Sequence, residues 1–481
     1  MLRRILLISL FTSVIVSVGF GLSPARSETK TFRRFPVVGQ ANPISFTFTR
    51  VVDTNSPIPG GMGNFISFID PFAESSLDGR PAVSIENGTI VFSGSGAFGQ
   101  RGIYTAPVGG SITTIADTNT VLPDGTGTFR LFGTPSLSHR NVAFPARGES
   151  GLIAQGVFFV SPGSPIKTVV DRNTPVPGGI GVFRGIGGIS LDDESVAFVH
   201  SSVGRDRIFV ADNVGQITLI ADSTDFEVFN GLSFNDGIVA FVARQQQILA
   251  APVGSPLKLV HVGSVGFNPS IDNGAIAFVM QGGIFIVTIE GSISPVVLVG
   301  TPIPGGAGNF TFFDGDSPSH RDGIVAFRGF GPSGQEGIYA SIGGSLTKVI
   351  DLSNTLDGKT LTHLFLPFEA VSGNQIAFAA QFADGSRGIY VAEIVNEDEC
   401  PNSDLSATVV IDGCNSEVPN ILFPSGCTIS DLIGSCAKGA RNHGQFVSCV
   451  SRLTNDLKKA GTITGRQGGA IQSCTAKAHI P

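Results

Sequence analysis

Aspartate recurs at one position of the sequence pattern, after a short apolar run and before a turn. The five copies are Asp53, Asp117, Asp171, Asp222 and Asp351. Three of them are followed two residues later by an asparagine, at Asn55, Asn119 and Asn173. Carboxylate and amide oxygens in this arrangement could ligate calcium, but an aspartate that ends a strand also caps its own backbone in an Asx-turn. Because the pattern repeats along the chain instead of forming one site, turn chemistry is favoured, and we predict no metal and no cofactor.

Cysteine chemistry is confined to the end of the chain. All six cysteines lie in the last 82 of 481 residues, at Cys400, Cys414, Cys427, Cys436, Cys449 and Cys474. Their spacings of 14, 13, 9, 13 and 25 residues lack the close pairs of a zinc site. An even number of clustered cysteines in an exported chain predicts disulfide bonds, although the sequence leaves their connectivity open.

Catalytic signatures are weak. The sequence contains no H-E-x-x-H zinc motif, no G-x-S-x-G nucleophile motif and no P-loop. The histidines are scattered without metal-ligand spacing, at His139, His200, His261, His320, His363, His443 and His479. A retaining glycosidase needs two carboxylates about 5 Å apart and an inverting one a wider pair, whereas the prominent acids here recur from repeat to repeat. We therefore predict no catalytic residue.

The elements that carry these residues form a tandem repeat. Seven strand-like segments end in phenylalanine, at Phe92, Phe144, Phe198, Phe241, Phe278, Phe327 and Phe378. A serine stands eight residues before six of these phenylalanines, at Ser84, Ser136, Ser190, Ser233, Ser270 and Ser319, and Ala370 takes this position in the seventh copy. We interpret the repeated Phe and Ser as blade packing and turn bonding. Function should instead lie where the repeat breaks down, as in the short loops near 225–229 and 262–267, which would leave a notch in one rim.

Each repeat contains four strand signals separated by Gly and Pro turns, and the repeats are 37 to 54 residues apart. This period predicts a β-propeller, whose blades are four-stranded sheets. The body ends near Ile394 without its last strand but begins with an extra copy of that strand, residues 46–53. We therefore predict an all-β, seven-bladed β-propeller closed by the N-terminal strand, with Thr47 to Val52 beside Ile389 to Glu393. A linear solenoid or two β-sandwiches are the alternatives.

The ends of the chain predict export and a separate module. Arg3 and Arg4 precede an apolar run, and Ala25 and Ser27 fit a cleavage site. We predict a signal peptide over 1–27, with a membrane anchor as the alternative, then an N-terminal lead over 28–45 and the propeller over 46–394. A Cys-containing linker follows over 395–426, and a disulfide-linked α-helical module of three helices over 427–481.

The pattern in this last module has a period of 3.6 residues. Thr428 and Asp431 resemble an N-cap pair that opens the first helix. The second is marked by Phe446, Cys449, Val450, Leu453 and Leu457 and ends near Gly461. The third is marked by Ile463, Ala470, Ile471, Cys474 and Ala478.

The repeats resemble those of bacterial exported proteins built from tandem N-x-x-G-x-x-A-F units, an uncharacterised β-propeller-like family. The segments from Asn273 to Phe278 and from Asp236 to Phe241 are most similar, and the resemblance covers about 46–394. It implies the architecture but no activity. The tail resembles cysteine-rich C-terminal modules of exported bacterial proteins, and Glu399 to Asp404 resembles the end of a thrombospondin type 3-like calcium repeat without its upstream aspartates.

Charge and composition limit the function. With 42% hydrophobic residues the chain is not disordered, and a net charge of −7 argues against a dedicated nucleic-acid binder. Residues 427–481 carry +5 and residues 1–27 carry +3, which leaves −15 on 28–426. The basic tail either docks on its own propeller, adheres to an anionic envelope polymer, or is a solvated helical face. We predict a secreted, periplasmic or extracellular, non-enzymatic scaffold that binds an extracellular protein or polysaccharide and has no transmembrane anchor when mature. A secreted glycan hydrolase or lyase that uses channel carboxylates is the alternative.

Overall fold

A computed structural model describes residues 44–480, apart from 70–80, 149–154, 179–180, 203–204, 224–227, 244–246, 264–265, 267, 316–317, 396–399, 401, 424–425 and 460–461. The predicted signal peptide over 1–27 and almost all of the lead over 28–45 lie outside the described residues. So do most of the two short loops near 225–229 and 262–267, part of the calcium-like segment from Glu399 to Asp404, and Gly461.

The chain forms seven antiparallel blades, and its strands are numbered in chain order. The first strand is β1 (Ser45–Asp53). Blade 1 contains β2 (Phe65–Ser67), β3 (Val83–Glu86), β4 (Thr89–Gly96), β5 (Arg101–Pro107) and β6 (Thr113–Asp117). Blade 2 contains β7 (Leu131–Phe132), β8 (Ser136–Ser138), β9 (Asn141–Arg147), β10 (Gly156–Val160) and β11 (Lys167–Asp171). Blade 3 contains β12 (Ile186–Asp192), β13 (Ser195–Ser202), β14 (Arg205–Ala211) and β15 (Ile217–Asp222).

The remaining blades follow the same order from the innermost to the outermost strand. Blade 4 contains β16 (Val228–Asn235), β17 (Ile238–Ala243), β18 (Gln247–Pro252) and β19 (Lys258–Val262). Blade 5 contains β20 (Ser270–Asp272), β21 (Ala275–Met280), β22 (Gly283–Thr288) and β23 (Ile293–Leu298). Blade 6 contains β24 (Phe312–Phe313), β25 (Ser319–Arg321), β26 (Ile324–Phe330), β27 (Glu336–Ile342) and β28 (Ser345–Asp351). Blade 7 contains β29 (Thr355–Leu356), β30 (Lys359–Phe365), β31 (Val371–Ser372), β32 (Gln375–Phe382) and β33 (Arg387–Val395).

The N-terminal strand closes the ring, as predicted. β1 pairs antiparallel with β33, with Thr47 opposite Glu393 and Val52 opposite Ile389. It is therefore the outermost strand of blade 7, in the place that the last strand of each other blade takes within its own repeat. Closure covers the edge that β33 would otherwise expose, which removes a site for edge-to-edge association.

The repeated aromatic residues form the core between blades. All seven phenylalanines of the repeat are fully buried, at Phe92, Phe144, Phe198, Phe241, Phe278, Phe327 and Phe378. Steric crowding explains why the first residue of each G-I-Y sequence is glycine. For example, a Cβ at Gly388 would lie 2.8 Å from the Tyr390 ring and 3.1 Å from the Val52 carbonyl oxygen. The tyrosine ring thus folds over the glycine two residues earlier on the same face of the strand.

The C-terminal module has its own core and contains an element that the sequence pattern does not predict. Its helices are α1 (Ile429–Gly439), α2 (His443–Lys459) and α3 (Gly465–Lys477), and a hairpin of β34 (Thr408–Ile411) and β35 (Cys414–Pro419) lies in the segment predicted as a linker. The hairpin side chains Val409, Ile411 and Val418 are buried against the helices. The segment over 395–426 is therefore more than a linker, because three helices alone offer too little apolar surface for a core.

Other features of the module agree with prediction. Thr428 and Asp431 form a capping box at α1, and Ile463 and Ala478 are buried on either side of α3. All six cysteines are paired, as Cys400–Cys427, Cys414–Cys474 and Cys436–Cys449.

Candidate functional site

The seven innermost strands surround a central channel, and the repeated serines join one blade to the next there. Each serine Oγ accepts a hydrogen bond from a backbone N–H of the following blade, at 2.8–3.2 Å. The acceptor–donor pairs are Ser84–Leu137, Ser136–Leu191, Ser190–Phe234, Ser233–Ile271, Ser270–His320 and Ser319–Ala370. The serines are thus packing residues, as predicted, but they bond between blades and not within turns.

The seventh link departs from this pattern. In the other blades the donor is the residue directly after the repeated serine position. In blade 7 the donor to Ser319 is the N–H of Ala370, which occupies the serine position itself, so the donor lies one residue earlier. The backbone carbonyl of Glu369 then accepts from the Ile85 N–H of blade 1 at 3.1 Å, which closes the ring of bonds. The shift places the Glu369 side chain in the channel, where the other blades have a serine hydroxyl.

The Glu369 carboxylate spans the channel and contacts three other blades. It accepts hydrogen bonds from Ser84 at 2.6 Å, from Ser136 at 2.7 and 2.9 Å, and from Ser190 at 3.2 Å. These serines belong to blades 1, 2 and 3, so one side chain of the closing blade bridges nearly half of the ring. By solvent exposure Glu369 as a whole is partly buried.

Two opposing influences act on this carboxyl group. Burial raises the pKa of Glu369 above its ordinary range, while the bonds from Ser84 and Ser136 and the charge of Arg321 lower it; burial is the largest influence. A carboxyl group in such a position favours its neutral form, which can both donate and accept hydrogen bonds.

A second ring of polar residues lies two residues further along each innermost strand. Its members are Glu86, Ser138, Asp192, Asn235, Asp272, Arg321 and Ser372. Most bond to the turn of a neighbouring blade: for example, Asp192 accepts from the Gly237 N–H at 2.7 Å and Ser372 from the Asn87 N–H at 3.0 Å. Across blade 7, Arg321 of blade 6 forms an ion pair of 3.4 Å with Glu86 of blade 1.

The space left in the channel is small. A cavity of about 70 Å³ is lined by residues of the innermost strands, among them Ser190, Asn235, Ser270, Arg321 and Glu369. Pockets for ordinary organic ligands measure roughly 300–1,000 Å³. This cavity is therefore smaller than such a pocket, and the carboxyl group of Glu369 that lines it is bonded to the scaffold.

The repeated aspartates act in turns, as predicted. Asp53, Asp117, Asp171 and Asp351 each accept from the backbone N–H two residues later, at 2.9–3.0 Å. The fifth, Asp222, instead bonds to Arg207 at 2.9 Å. Among the described residues, no group of three or more His, Cys, Asp or Glu side chains could hold a metal ion.

The predicted notch falls mostly on residues outside the described part of the chain. The sequence pattern did mark the place of Glu369, because Ala370 breaks the serine series. That break was visible in the sequence. The carboxylate one residue before it was missed, since only the one-residue shift of the backbone brings it into the channel.

No family model matches this chain, and no curated protein matches it. Several solved structures are similar in fold. The β-propeller domain of the trilobed protease from Pyrococcus furiosus has 8% identity and a TM-score of 0.43, over 64% of this chain and 91% of that one. An acylaminoacyl peptidase from Pyrococcus horikoshii has 11% identity and a TM-score of 0.41, over 65% and 51%. BamB from Moraxella catarrhalis has 11% identity and a TM-score of 0.31, over 64% and 81%.

At these identities the likeness concerns the fold alone, and the match spans about half of the peptidase. The resemblance to the tandem-repeat family remains a prediction. In the part of the chain that is described, no helix is both long and apolar enough to cross a membrane.

Proposed function

We propose that this protein is an exported, non-enzymatic scaffold that presents its propeller to an extracellular protein or polysaccharide. The observation that carries the proposal is the narrow channel: among the described residues, the cavity that its innermost strands line measures about 70 Å³, well below the volume of ordinary ligand pockets. With the interior used for closing the ring, a ligand is left with the loops and blade surfaces. Binding sites on rigid scaffolds are commonly placed on such surface elements.

The hydrogen bonds and ion pairs of the acidic side chains in the channel also support a binding function over hydrolysis. Glu369 accepts hydrogen bonds from three serines, Glu86 pairs with Arg321, and Asp272 accepts from Asn235 at 3.0 Å. A glycosidase needs one carboxyl group that can donate to the leaving oxygen and another that can reach the sugar ring or a water molecule. Acids committed to bonds within the scaffold are poorly placed for either task.

The tail supports export and attachment. Its three disulfide bonds are typical of proteins in an oxidising compartment. Six of its basic side chains are exposed, at Lys438, Arg441, Arg452, Lys459, Arg466 and Lys477. A stable basic module beside an acidic body suits adhesion to an anionic envelope polymer, which would hold the propeller near the cell surface.

The test measures binding and turnover together on the chain from Glu28 onward. The protein is incubated with soluble extracellular glycans while new reducing ends are counted and bound glycan is quantified. We expect no released product. Release that disappears in Glu369→Gln but persists in the control Glu290→Gln, which changes an exposed acid, would establish the hydrolase and overturn the scaffold proposal.

A further inference from the structure

A group of aromatic rings lies at the boundary between blades 6 and 7. Phe312 of β24 is 58% exposed and sits opposite Phe330 of β26, with ring centroids 5.6 Å apart. On the blade 7 side, Phe365 and His363 of β30 have ring centroids 6.3 Å apart and planes inclined by 18°. We call Phe312, Phe330, Phe365 and His363 the aromatic platform.

Arg328 joins the two halves of the platform. Its guanidinium carbon lies 4.8 Å from the centroid of the Phe330 ring and 5.4 Å from that of Phe365. The same guanidinium forms ion pairs with Asp314 at 3.0 Å and Glu336 at 3.1 Å. The positive charge is therefore balanced by two carboxylates, and the platform offers no surplus of positive charge to an anionic ligand.

Blade 1 shows that the fold does not require these aromatic residues. The sequences of the two blades align without a gap across their second strands, from Phe92 to Tyr104 and from Phe327 to Tyr339. At the position of Phe312 blade 1 has Ser67, which is paired with Ser95 just as Phe312 is paired with Phe330.

The same alignment places Ser93 at the position of Arg328. Blade 1 thus builds the same sheet with serine at all three positions. The scaffold phenylalanine is a different residue, Phe310, which is buried in blade 6 as Phe65 is in blade 1. Single exposed apolar side chains such as Phe98 are ordinary on a protein surface, but Phe312 lies in a group of adjacent aromatic rings, and grouped apolar surface marks binding sites.

The geometry points to a ligand class: we propose that the aromatic platform binds a neutral glycan chain. The face of an aromatic ring is the negative part of its quadrupole, and it attracts the weakly positive C–H bonds on the apolar face of a pyranose. Arg328 is buried and paired with Asp314 and Glu336, so its role is to hold the two halves of the platform together while the rings contact the sugar. This inference rests on the proposed binding function and specifies its ligand.

The experiment is a reciprocal exchange between the two blades in the full mature chain. Phe312→Ser introduces the residue that blade 1 uses. Phe98→Ser introduces the blade 6 residue into blade 1, since the alignment pairs Phe98 with Ser333. Phe98 is 93% exposed, so both variants remove an exposed ring but only one touches the platform. Phe312→Leu keeps an apolar side chain without a ring, and melting curves check the fold of all three.

Binding is measured by titration calorimetry with cellohexaose and chitohexaose as neutral probes and hexagalacturonate as an anionic probe. We expect a neutral probe to bind, with affinity lowered at least tenfold in Phe312→Ser and Phe312→Leu and changed less than twofold in Phe98→Ser. A tenfold loss corresponds to about 1.4 kcal/mol.

Three results would overturn the inference: unchanged affinity in Phe312→Leu, binding of hexagalacturonate alone, or a loss of affinity in Phe98→Ser instead. Absence of binding to every oligosaccharide also overturns it, but leaves the proposed scaffold with a protein ligand. Release of product in the turnover assay would contradict the scaffold itself, so the two failures are distinguishable.

Discussion

Glu369 couples the stability of the ring to pH, and replacing it with glutamine isolates this effect. Burial raises the pKa of the Glu369 carboxyl group in the folded chain, whereas in the unfolded chain it titrates near its ordinary value of about 4.3. A raised folded pKa means that the neutral form is the one the fold favours. The stability that Glu369 contributes is therefore fully present below the unfolded pKa and is lost as pH rises through the folded pKa.

The magnitude follows from the size of the pKa difference. Each unit by which the pKa in the folded chain exceeds that in the unfolded chain lowers the free energy of unfolding by about 1.4 kcal/mol. This full loss is reached at a pH where Glu369 is ionised in both the folded and the unfolded chain. The hydrogen bonds from Ser84, Ser136 and Ser190 act in the opposite direction, because they favour the charged form. Since burial is the larger influence, Glu369→Gln should gain stability relative to the native chain as pH rises from about 4.3 through the folded pKa, by about 1.4 kcal/mol for each unit of difference between the two pKa values.

Urea unfolding followed by far-ultraviolet circular dichroism at each pH gives this difference directly. Comparing the two chains at the same pH cancels the titration of all other groups. Glu290→Gln is the control, because the pKa of the exposed Glu290 is lowered and its contribution is lost as pH falls. The difference in unfolding free energy between Glu290→Gln and the native chain should thus change with pH in the direction opposite to that for Glu369→Gln. Parallel stability curves for the native chain and Glu369→Gln would refute the argument that burial governs this carboxyl group.

Three further predictions concern the closure of the ring and the tail. A chain that begins at Thr54 lacks β1 and exposes the edge of β33, so size-exclusion chromatography should show association of the chains. An added peptide of residues 45–53 should reverse this association. A truncated chain that stays monomeric without the peptide would contradict the closure. Ser136→Ala removes one interblade bond and a donor to Glu369, and should cost about 1–3 kcal/mol in urea unfolding; an unchanged midpoint would contradict this role. Replacing Cys414 and Cys474 with serine opens a link across 60 residues and should lower tail stability by about 4 kcal/mol. Calorimetry should then show an earlier tail transition with the propeller transition unchanged, and a shift of both would indicate that the two parts unfold together.

The sequence predicted those features that every repeat shares. Phe92 and its counterparts were assigned to the core because one position recurs in all blades, and the pairing of β1 with β33 followed from a missing last strand and an extra first one. The capping box of Thr428 and Asp431 was local and therefore visible. Features set by spatial neighbours were missed, such as the hairpin of β34 and β35 and the pairing of cysteines far apart in sequence.

The candidate site was harder to predict for the same reason. Glu369 reaches the channel only because the backbone of blade 7 is shifted by one residue relative to the serine register. Phe312 belongs to a common G-N-F-x-x-F sequence, and its exposure becomes evident only when it is compared with Ser67 in blade 1. Both residues differ from their counterparts in another blade, in keeping with the expectation that function lies where the repeat breaks down, and the short loops near 225–229 and 262–267 stay a prediction.

The two departures lie in different parts of the propeller, Glu369 in the channel and Phe312 on the surface. Blade 7 is the only blade assembled from both ends of the chain, and it is held from outside by β1 and from inside by Glu369, which bonds to blades 1, 2 and 3. This contact links the closing blade to three others, at the stability cost of a buried carboxyl group, and it takes up part of the channel that Glu369 lines. The buried phenylalanine of every blade and the interblade serine of six blades fix the fold, which leaves positions such as Phe312 free to vary without loss of the sheet. Because the channel side chains are bonded to the scaffold, we place the proposed binding specificity on the surface, at the boundary of blades 6 and 7, where blade 6 carries Phe312 and blade 1 carries Ser67.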